Sequence, residues 1–285
     1  MTVSPVISKL LRRAARWLAA LAALAALGVA TGAGLMYFWV LPNIADHRDT
    51  VASLMSRALG QRVTLEAVSG VWQQARPEFS LQGVRLYDQQ GHPALYLPEL
   101  EAAFAWRSLL FLEPRFNRIE LQGLTLAVRR ARDGHLYVGG IPVNPADPDS
   151  GFANWLLRQG RVHAGKATLT WLDEVRNAPP LILREVDFTL ANRRRAHHLT
   201  LRAVPPATLA RPLTIEAHLN SRDTDDIKTW NGRVDASVAG VSLPRLATWL
   251  ALPYPTRQGR GALIATFKVA RGEFASVTAG LDLRE

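Results

Sequence analysis

FSLQGVRL, residues 79–86, alternates apolar and polar residues but changes phase at its glycine. Phe79 and Leu81 are odd-numbered, whereas Val84 and Leu86 are even-numbered. Side chains along a strand alternate between the two faces of a sheet, so the alternation predicts a strand with one apolar face. A glycine at the phase change predicts a bulge or sharp bend that returns the later apolar residues to the same face.

The same pattern recurs forty residues further on, in IELQGLTL, residues 119–126. Ile119 and Leu121 precede its glycine on odd positions, and Leu124 and Leu126 follow it on even positions. Two shorter segments, VAGVSL (238–243) and TAGLDL (278–283), end in the same glycine-apolar-x-apolar order. Repeated bent strands predict a strongly curved sheet.

Strands separated by turn clusters fill most of the chain after residue 61. Apolar residues alternate in several further segments: Val186, Phe188 and Leu190; Leu199, Leu201 and Ala203; Leu213, Ile215, Ala217 and Leu219; Leu263, Ala265, Phe267 and Val269. Short helical patterns interrupt them at 106–111, 152–159 and 244–252, and 139–151 reads as a linker rich in Gly and Pro. The predicted fold class is mainly β (α+β), an antiparallel meander forming one curved, open sheet.

The N-terminal region predicts a membrane anchor. Residues 17–41 carry no charge, and about 20 apolar residues suffice to cross a bilayer. Four basic residues precede this segment and account for part of the net charge of +10: Lys9, Arg12, Arg13 and Arg16. The positive-inside rule therefore places residues 1–16 in the cytoplasm and residues 61–285 on the other side of the membrane.

Aromatic residues flank the predicted span, with Trp17 at one end and Tyr37, Phe38 and Trp39 at the other. Such belts are typical of the two membrane–water interfaces. A cleaved signal peptide is the alternative, but its apolar region usually has about 7–15 residues. We expect an uncleaved anchor.

Pro42 predicts the end of the membrane helix, and residues 42–60 predict a juxtamembrane amphipathic helix. This helix would either lie on the lipid surface or cap one end of the sheet, and capping is the simpler expectation.

Motifs for chemistry are weak in this sequence. Gly160, Gly165 and Lys166 have the spacing of a phosphate-binding loop, but Ala167 stands where Ser or Thr is needed. A connection rich in glycine, ending before a strand at 167–172, is the preferred reading. The chain has no Cys, and its histidines lack paired metal-ligand spacing. We expect no enzyme activity, no catalytic residue, no cofactor and no metal site.

Nucleic acid is also not an expected partner, although residues 192–198 form a dense basic run. A solvated connection between strands explains this run best, and contact with anionic headgroups comes second.

The order of several segments resembles the N-terminal part of the YhdP family, within the AsmA-like superfamily. The resemblance covers nearly the whole chain, through the basic single-span N-terminus and four quoted segments: ALGQRVTLEAVSGVW (58–72), FSLQGVRLYD (79–88), PELEAAFAWRSLLFLEPRFNRIELQGLTLAV (98–128) and WLLRQGRVHAGKATLTWLDE (155–174). Members are usually much longer, and the chain stops in mid-strand, so we expect the native polypeptide to continue.

This resemblance implies an anchored periplasmic protein of Gram-negative bacteria with an apolar groove that carries phospholipid between the inner and outer membranes. Its implied partners are phospholipid and the inner membrane. The alternative is a structural or assembly factor that binds other envelope proteins through its sheet edge. The residues expected to line the groove are Val84, Leu86, Leu124, Leu126, Val128, Val186, Phe188 and Leu190.

Overall fold

The computed structural model describes residues 5–59, 61–73, 76–87, 91, 93–106, 108, 115–143, 158–193, 195–223, 226–249 and 258–284. Its helices lie mostly at the N-terminus. They are α1 (Pro5–Leu35), a π turn (Met36–Val40), α2 (Leu41–Asn43), a 3-10 turn (Ile44–His47), α3 (Arg48–Leu59), a 3-10 turn (Ile227–Thr229) and α4 (Leu243–Leu246).

Pro42 does not end the helical segment as the sequence predicted. The chain passes through the π turn and continues as α2, with Pro42 in the first turn of that helix. Proline is tolerated there because a first-turn N–H has no intrahelical partner to lose.

Within the described residues, fifteen strands form one sheet. They are β1 (Val63–Thr64), β2 (Ala67–Gln73), β3 (Arg76–Tyr87), β4 (Pro93–Phe104), β5 (Phe116–Gln122), β6 (Thr125–Arg130), β7 (Leu136–Val138), β8 (Ile141–Val143), β9 (Arg161–Asp173), β10 (Leu181–Arg193), β11 (Ala196–Val204), β12 (Leu213–Asn220), β13 (Asn231–Ser242), β14 (Arg260–Ala270) and β15 (Glu273–Arg284). The predicted β-rich class with a few short helices is confirmed.

The sheet is mixed and not wholly antiparallel, which corrects one part of the prediction. β5 and β6 both pair with β9 in parallel, and the other pairings are antiparallel. Parallel neighbours need a crossover of about a dozen residues or more. The chain between β8 and β9 is long enough for one, and the segment read as a linker at 139–151 falls largely within it, outside the described residues.

A line of backbone irregularities crosses neighbouring strands, and we call it the crease. Gly83 in β3 (φ 61°) lies opposite Pro98 of β4, and Gly123 (φ 69°) packs against the same proline. Lys166 in β9 (φ 53°) and Glu185 in β10 (φ 48°) continue the line. The bends inferred at the two glycines are therefore real positive-φ positions, where glycine avoids the strain of a side chain.

The two shorter segments with the same ending, 238–243 and 278–283, differ in structure. Gly240 in β13 has φ 63° and sits at a register shift against β14, so it extends the crease. Gly280 in β15 pairs in unbroken register with Ile264, so no bulge forms there. A glycine-apolar-x-apolar ending does not by itself specify a bulge, because the pairing register of the neighbouring strand also decides it.

Helix α3 covers the first strands of the sheet. Ile44, Val51 and Met55 pack on a core cluster that includes Leu65, Leu81, Val84, Leu86 and Leu97. The closest backbone approaches are those of α2 and the 3-10 turn that follows it to β2 and of α3 to β1. The juxtamembrane helix thus caps one end of the sheet.

Candidate functional site

One face of the sheet is apolar along rows that run from strand to strand. Directly paired residues share a face, so the pairing register defines each row. The first row is Phe79, Ala102, Ile119, Val162, Leu190, Leu199, Ala217, Val234, Phe267 and Val277. The second is Leu81, Leu100, Leu121, Ala164, Phe188, Leu201, Ile215, Ala236, Ala265 and Ala279. Together with the rows across the crease, we call this the apolar face.

Apolar rows continue on the far side of the crease because the positive-φ bends return the later apolar residues to the same face. One runs through Val63, Leu86, Leu95, Leu126, Leu169 and Leu183. Another runs through Val138, Val128, Trp171 and Leu181. Ala167, Val186 and Ala203 form a buried cluster at the crease itself, in contact with Leu124 and Leu213.

The opposite face is polar with the same regularity, and we call it the polar face. The row between the two described first is Ser80, Glu101, Glu120, His163, Thr189, Thr200, Glu216, Asp235, Thr266 and Thr278. Arg118 pairs with Glu78 at 3.3 Å, and Arg233 pairs with Asp235 at 2.8 Å. The sheet therefore separates an aqueous face from an apolar one.

Exposure of the apolar face increases toward β15. Val84 and Leu86 are buried beneath α3, and Val162 and Leu190 are 1% exposed. Further along, Leu199, Ile215, Val234 and Phe267 are half-buried. Val277 and Phe274 on β15 are 60% and 72% exposed.

All eight residues expected to line a groove lie on the apolar face, but not as one strip. Val84 and Leu86 belong to the cluster under α3. Leu124, Leu126 and Val128 are half-buried beyond the crease, with Val186 buried beside them. Phe188 and Leu190 lie on the near side of the crease, in the rows of Leu121 and Ile119.

The residues expected to line the groove left out the apolar residues before each bend, although the predicted bend had placed them on the same face. Ile119, Leu121 and Val162 are as central to this face as the eight expected residues. The signal was present, since the phase change at each glycine joins the odd residues before it to the even residues after it.

A chain of aromatic rings was also missed, and we call it the aromatic path. It links the end of the membrane helix to the apolar face. Tyr37 contacts Trp72 edge-on at 5.5 Å between ring centroids, and Trp72 contacts Trp106 at 5.8 Å. Phe104 then contacts Trp106 at 6.3 Å and Phe116 at 6.2 Å. Phe116 packs on the buried cluster of Ile119, Val162 and Leu190.

Gly70 explains how the helix approaches the sheet so closely. It pairs with Phe79 in the first apolar row, and a side chain there would collide with Leu41 of α2. Leu41 is itself buried on this spot, and Ile44 lies beside it.

The predicted membrane-interface residues lie along the N-terminal helical segment. Trp17 is 72% exposed, and Tyr37, Phe38 and Trp39 are 48%, 78% and 61% exposed. Arg16 is exposed, and Arg12 and Arg13 lie on α1. Residues 15–57 form the one helical segment of the described chain that is long and apolar enough to cross a membrane, and its apolar window is not buried by the sheet.

The residues with the spacing of a phosphate-binding loop do not connect a strand to a helix. Gly165 and Lys166 lie inside β9, at the crease, with the Lys166 side chain exposed. The prediction of a glycine connection before the strand at 167–172 is therefore wrong, because β9 already begins at Arg161. Of the helix predicted at 152–159, all but the last two residues lie outside the described part.

His197 and His198 are adjacent in β11, so their side chains lie on opposite faces of the sheet. His197 is buried, stacks on Trp230 at 3.7 Å, and bonds Asn192 Oδ1 at 2.7 Å and Ser221 Oγ at 2.8 Å. Burial lowers the pKa of His197. His198 lies exposed on the polar face, with its Nδ1 3.1 Å from that of His218. Within the described residues, no group of three or more His, Cys, Asp or Glu side chains is arranged to hold a metal ion.

Comparison with known proteins gives a family. No curated protein matches the chain. The family model described as YhdP protein matches residues 1–285, the whole sequence. The chain therefore belongs to the YhdP family, which indicates an envelope protein of the AsmA-like kind.

Proposed function

We propose that this chain is anchored in the inner membrane and that its apolar face carries the acyl chains of phospholipids across the periplasm toward the outer membrane. The observation that supports this most directly is the continuity of the apolar rows. They run without a polar residue from β3, beside the anchor, to β15.

The dimensions of the apolar face suit an acyl chain. From β3 the first row crosses β4, β5 and β9–β15, which makes ten strands and nine spacings. At about 4.8 Å per spacing, the row is about 43 Å long. One leaflet supplies about half of a ~30 Å hydrocarbon core, so the row is longer than one acyl chain.

The energetics favour lipid over water on this face. Each methylene taken out of water contributes about 0.8 kcal/mol, so a chain of ten or more contributes several kcal/mol without any catalytic group. Half-buried Ile215, Val234 and Phe267 offer the apolar side of this contact. The polar face, with its ion pairs and Thr hydroxyls, has no such gain to offer.

Phospholipid headgroups remain in water in this arrangement. An acyl chain lying on the apolar rows leaves the headgroup free at the margin of the sheet. The sheet therefore needs no headgroup-specific pocket, and the proposed transport accepts phospholipids by their chains.

The orientation follows from charge. Lys9, Arg12, Arg13 and Arg16 precede the apolar segment, so the N-terminus faces the cytoplasm and the sheet faces the periplasm. A reporter that is active only after export, fused after residue 60, is expected to be active. Activity of a cytoplasm-only reporter at the same position would contradict the orientation.

A matched pair on β12 tests the function. Ile215 lies on the apolar face, and its neighbour Glu216 lies on the polar face. After mild extraction of the full chain, mass spectrometry is expected to find less phospholipid on the Ile215→Asp protein than on wild type. The Glu216→Ala protein is expected to keep the wild-type amount.

Lipid around the membrane helix is the same in all three proteins, so the difference reports the sheet alone. Equal lipid on wild type and a folded Ile215→Asp protein would contradict the proposal. Co-purified envelope proteins without sheet-bound lipid would favour the assembly-factor alternative.

A further inference from the structure

The aromatic path begins where the membrane helix leaves the bilayer. Tyr37, Phe38 and Trp39 are exposed near the end of the apolar segment, where aromatic rings favour the headgroup region. Trp72 and Trp106 are half-buried, so each still presents part of its ring. The path ends on Phe116, beside residues that are almost fully buried.

We propose that the aromatic path is the entry by which acyl chains leave the outer leaflet of the anchoring membrane and reach the apolar face. This inference rests on the proposed function and adds the residues that admit the substrate. The rings of Tyr37, Trp72, Trp106 and Phe104 form the surface along which the chain moves. It then meets the half-buried Leu121 and Phe188 of the apolar face.

The chemistry of these rings suits an entry better than a permanent seal. An aromatic pair contributes little beyond the area it buries, less than the burial of two methylenes. An entering acyl chain therefore replaces such contacts at small cost. Tyr and Trp also tolerate both water and hydrocarbon, as a site at the membrane–water interface requires.

The position of the path is fixed by the packing around Gly70. Leu41 rests on this glycine within the first apolar row, so the helix end and the margin of the apolar face stay together. Trp72 lies two residues further along the same strand, on the same face. The membrane interface and the apolar rows are thus joined by contacts between side chains.

The test measures delivery to a distant position. The full chain, carrying a photo-crosslinking amino acid at Ile215, is reconstituted into vesicles of phosphatidylethanolamine and phosphatidylglycerol. Trp72→Gln and Trp106→Gln together are expected to lower lipid crosslinking at Ile215 by about ten-fold, because two aromatic contact sites are lost. Trp72→Phe with Trp106→Phe is expected to restore it. Tyr96→Gln, on the polar face beneath Arg85, is the matched control and is expected to change nothing.

A second delivery route separates entry from folding. Lipid supplied in detergent micelles reaches the apolar face directly, so the Gln variants are expected to crosslink it like wild type. Loss of crosslinking from both sources would show that the rings only hold the fold, and would overturn the inference. Unchanged crosslinking from vesicles would also overturn it. Absence of crosslinks in wild type from either source would instead refute the proposed function.

Discussion

The two ends of the sheet share one pattern of alternation but differ in what covers their apolar face. In the capped region, β1–β4 with α3, large side chains such as Val84 and Leu86 are 4% and 3% exposed. In the uncapped region, β11–β15, the buried residues of the first and second apolar rows are the alanines Ala217 and Ala265. Their larger neighbours Ile215, Val234 and Phe267 stay half-buried.

This difference shows that alternation sets which way a side chain faces but not whether it is covered. An alanine in a sheet is hidden by its larger neighbours without a second layer. Burial of Val84 or Leu86 requires the helix above it. In the proposed function, the uncapped region is consequently where acyl chains find apolar surface.

The largest difference in stability is expected when the same charge is introduced into the capped and the uncapped region. Leu86→Asp buries an unpaired carboxylate beneath α3 and is expected to cost more than about 4 kcal/mol, enough to prevent stable folding. Val277→Asp, on the apolar face of β15, leaves its carboxylate in water and is expected to cost less than about 1 kcal/mol. Denaturant unfolding of the two proteins measures the difference. Similar losses at both positions would mean that the two ends are equally covered.

An intermediate effect is expected at the crease. Gly123→Ala puts a side chain at φ 69° and 3.2 Å from Pro98 Cγ, so we expect a loss of about 1–2 kcal/mol. Gly280→Ala is the control, since its backbone is regular and an added methyl group meets nothing within 4 Å. That change is expected to be neutral or to stabilise by up to about 1 kcal/mol. Equal losses of stability in the two variants would show that the backbone at Gly123 is no more constrained than that at Gly280.

A smaller loss of stability is expected when the pH is lowered, and it comes from His197 at the margin of the uncapped region. Burial lowers the pKa of His197 below its ordinary value of 6.5, so the unfolded chain binds a proton more readily than the folded one. Stability from this residue is therefore complete above pH 6.5 and declines as the pH falls from there toward the lowered pKa. His197→Gln keeps hydrogen-bonding groups beside Asn192 and Ser221 but does not titrate.

Melting temperature followed from pH 7.5 to 5.5 measures this contribution. Wild type is expected to lose more stability than the His197→Gln protein over this range. Parallel curves for the two proteins would show that His197 titrates alike in the folded and unfolded chains.

The smallest effect is expected at Lys166. Its side chain is exposed inside strand β9, whereas a phosphate-binding loop opens a helix N-terminus. Lys166→Ala is expected to change stability by less than about 0.5 kcal/mol and to leave lipid binding unchanged. Saturable ATP binding that disappears in this variant would contradict the account.

The sequence predicted the apolar face and two of its bends because alternation and glycine positions are local signals. The phase changes at Gly83 and Gly123 correctly indicated bends, which the structure makes by positive φ without a shift in strand register. The positive φ at Lys166 and Glu185 was not predictable, since neither residue favours that conformation and the neighbouring strands impose it. The parallel pairing of β9 was missed because register between distant segments leaves no local trace.

The aromatic path was missed for a similar reason. Tyr37, Trp72, Trp106 and Phe116 are far apart in sequence, and only the folded chain brings their rings together. Tyr37 was predicted at the membrane interface from its position beside the apolar segment. Its contact with the sheet depends on Gly70, whose significance appears only once Leu41 rests on it.

The central claim is that lipid occupies the apolar face and not the polar one, and adjacent residues of β14 test it most directly. Phe267 lies on the apolar face, and Thr266, which bonds Asp235 at 2.7 Å, lies on the polar face. A photo-crosslinking amino acid placed at each position in living cells samples the two faces a few ångströms apart. Phospholipid adducts are expected at Phe267 and not at Thr266. Adducts of equal yield at both positions, or protein adducts alone at Phe267, would contradict the account.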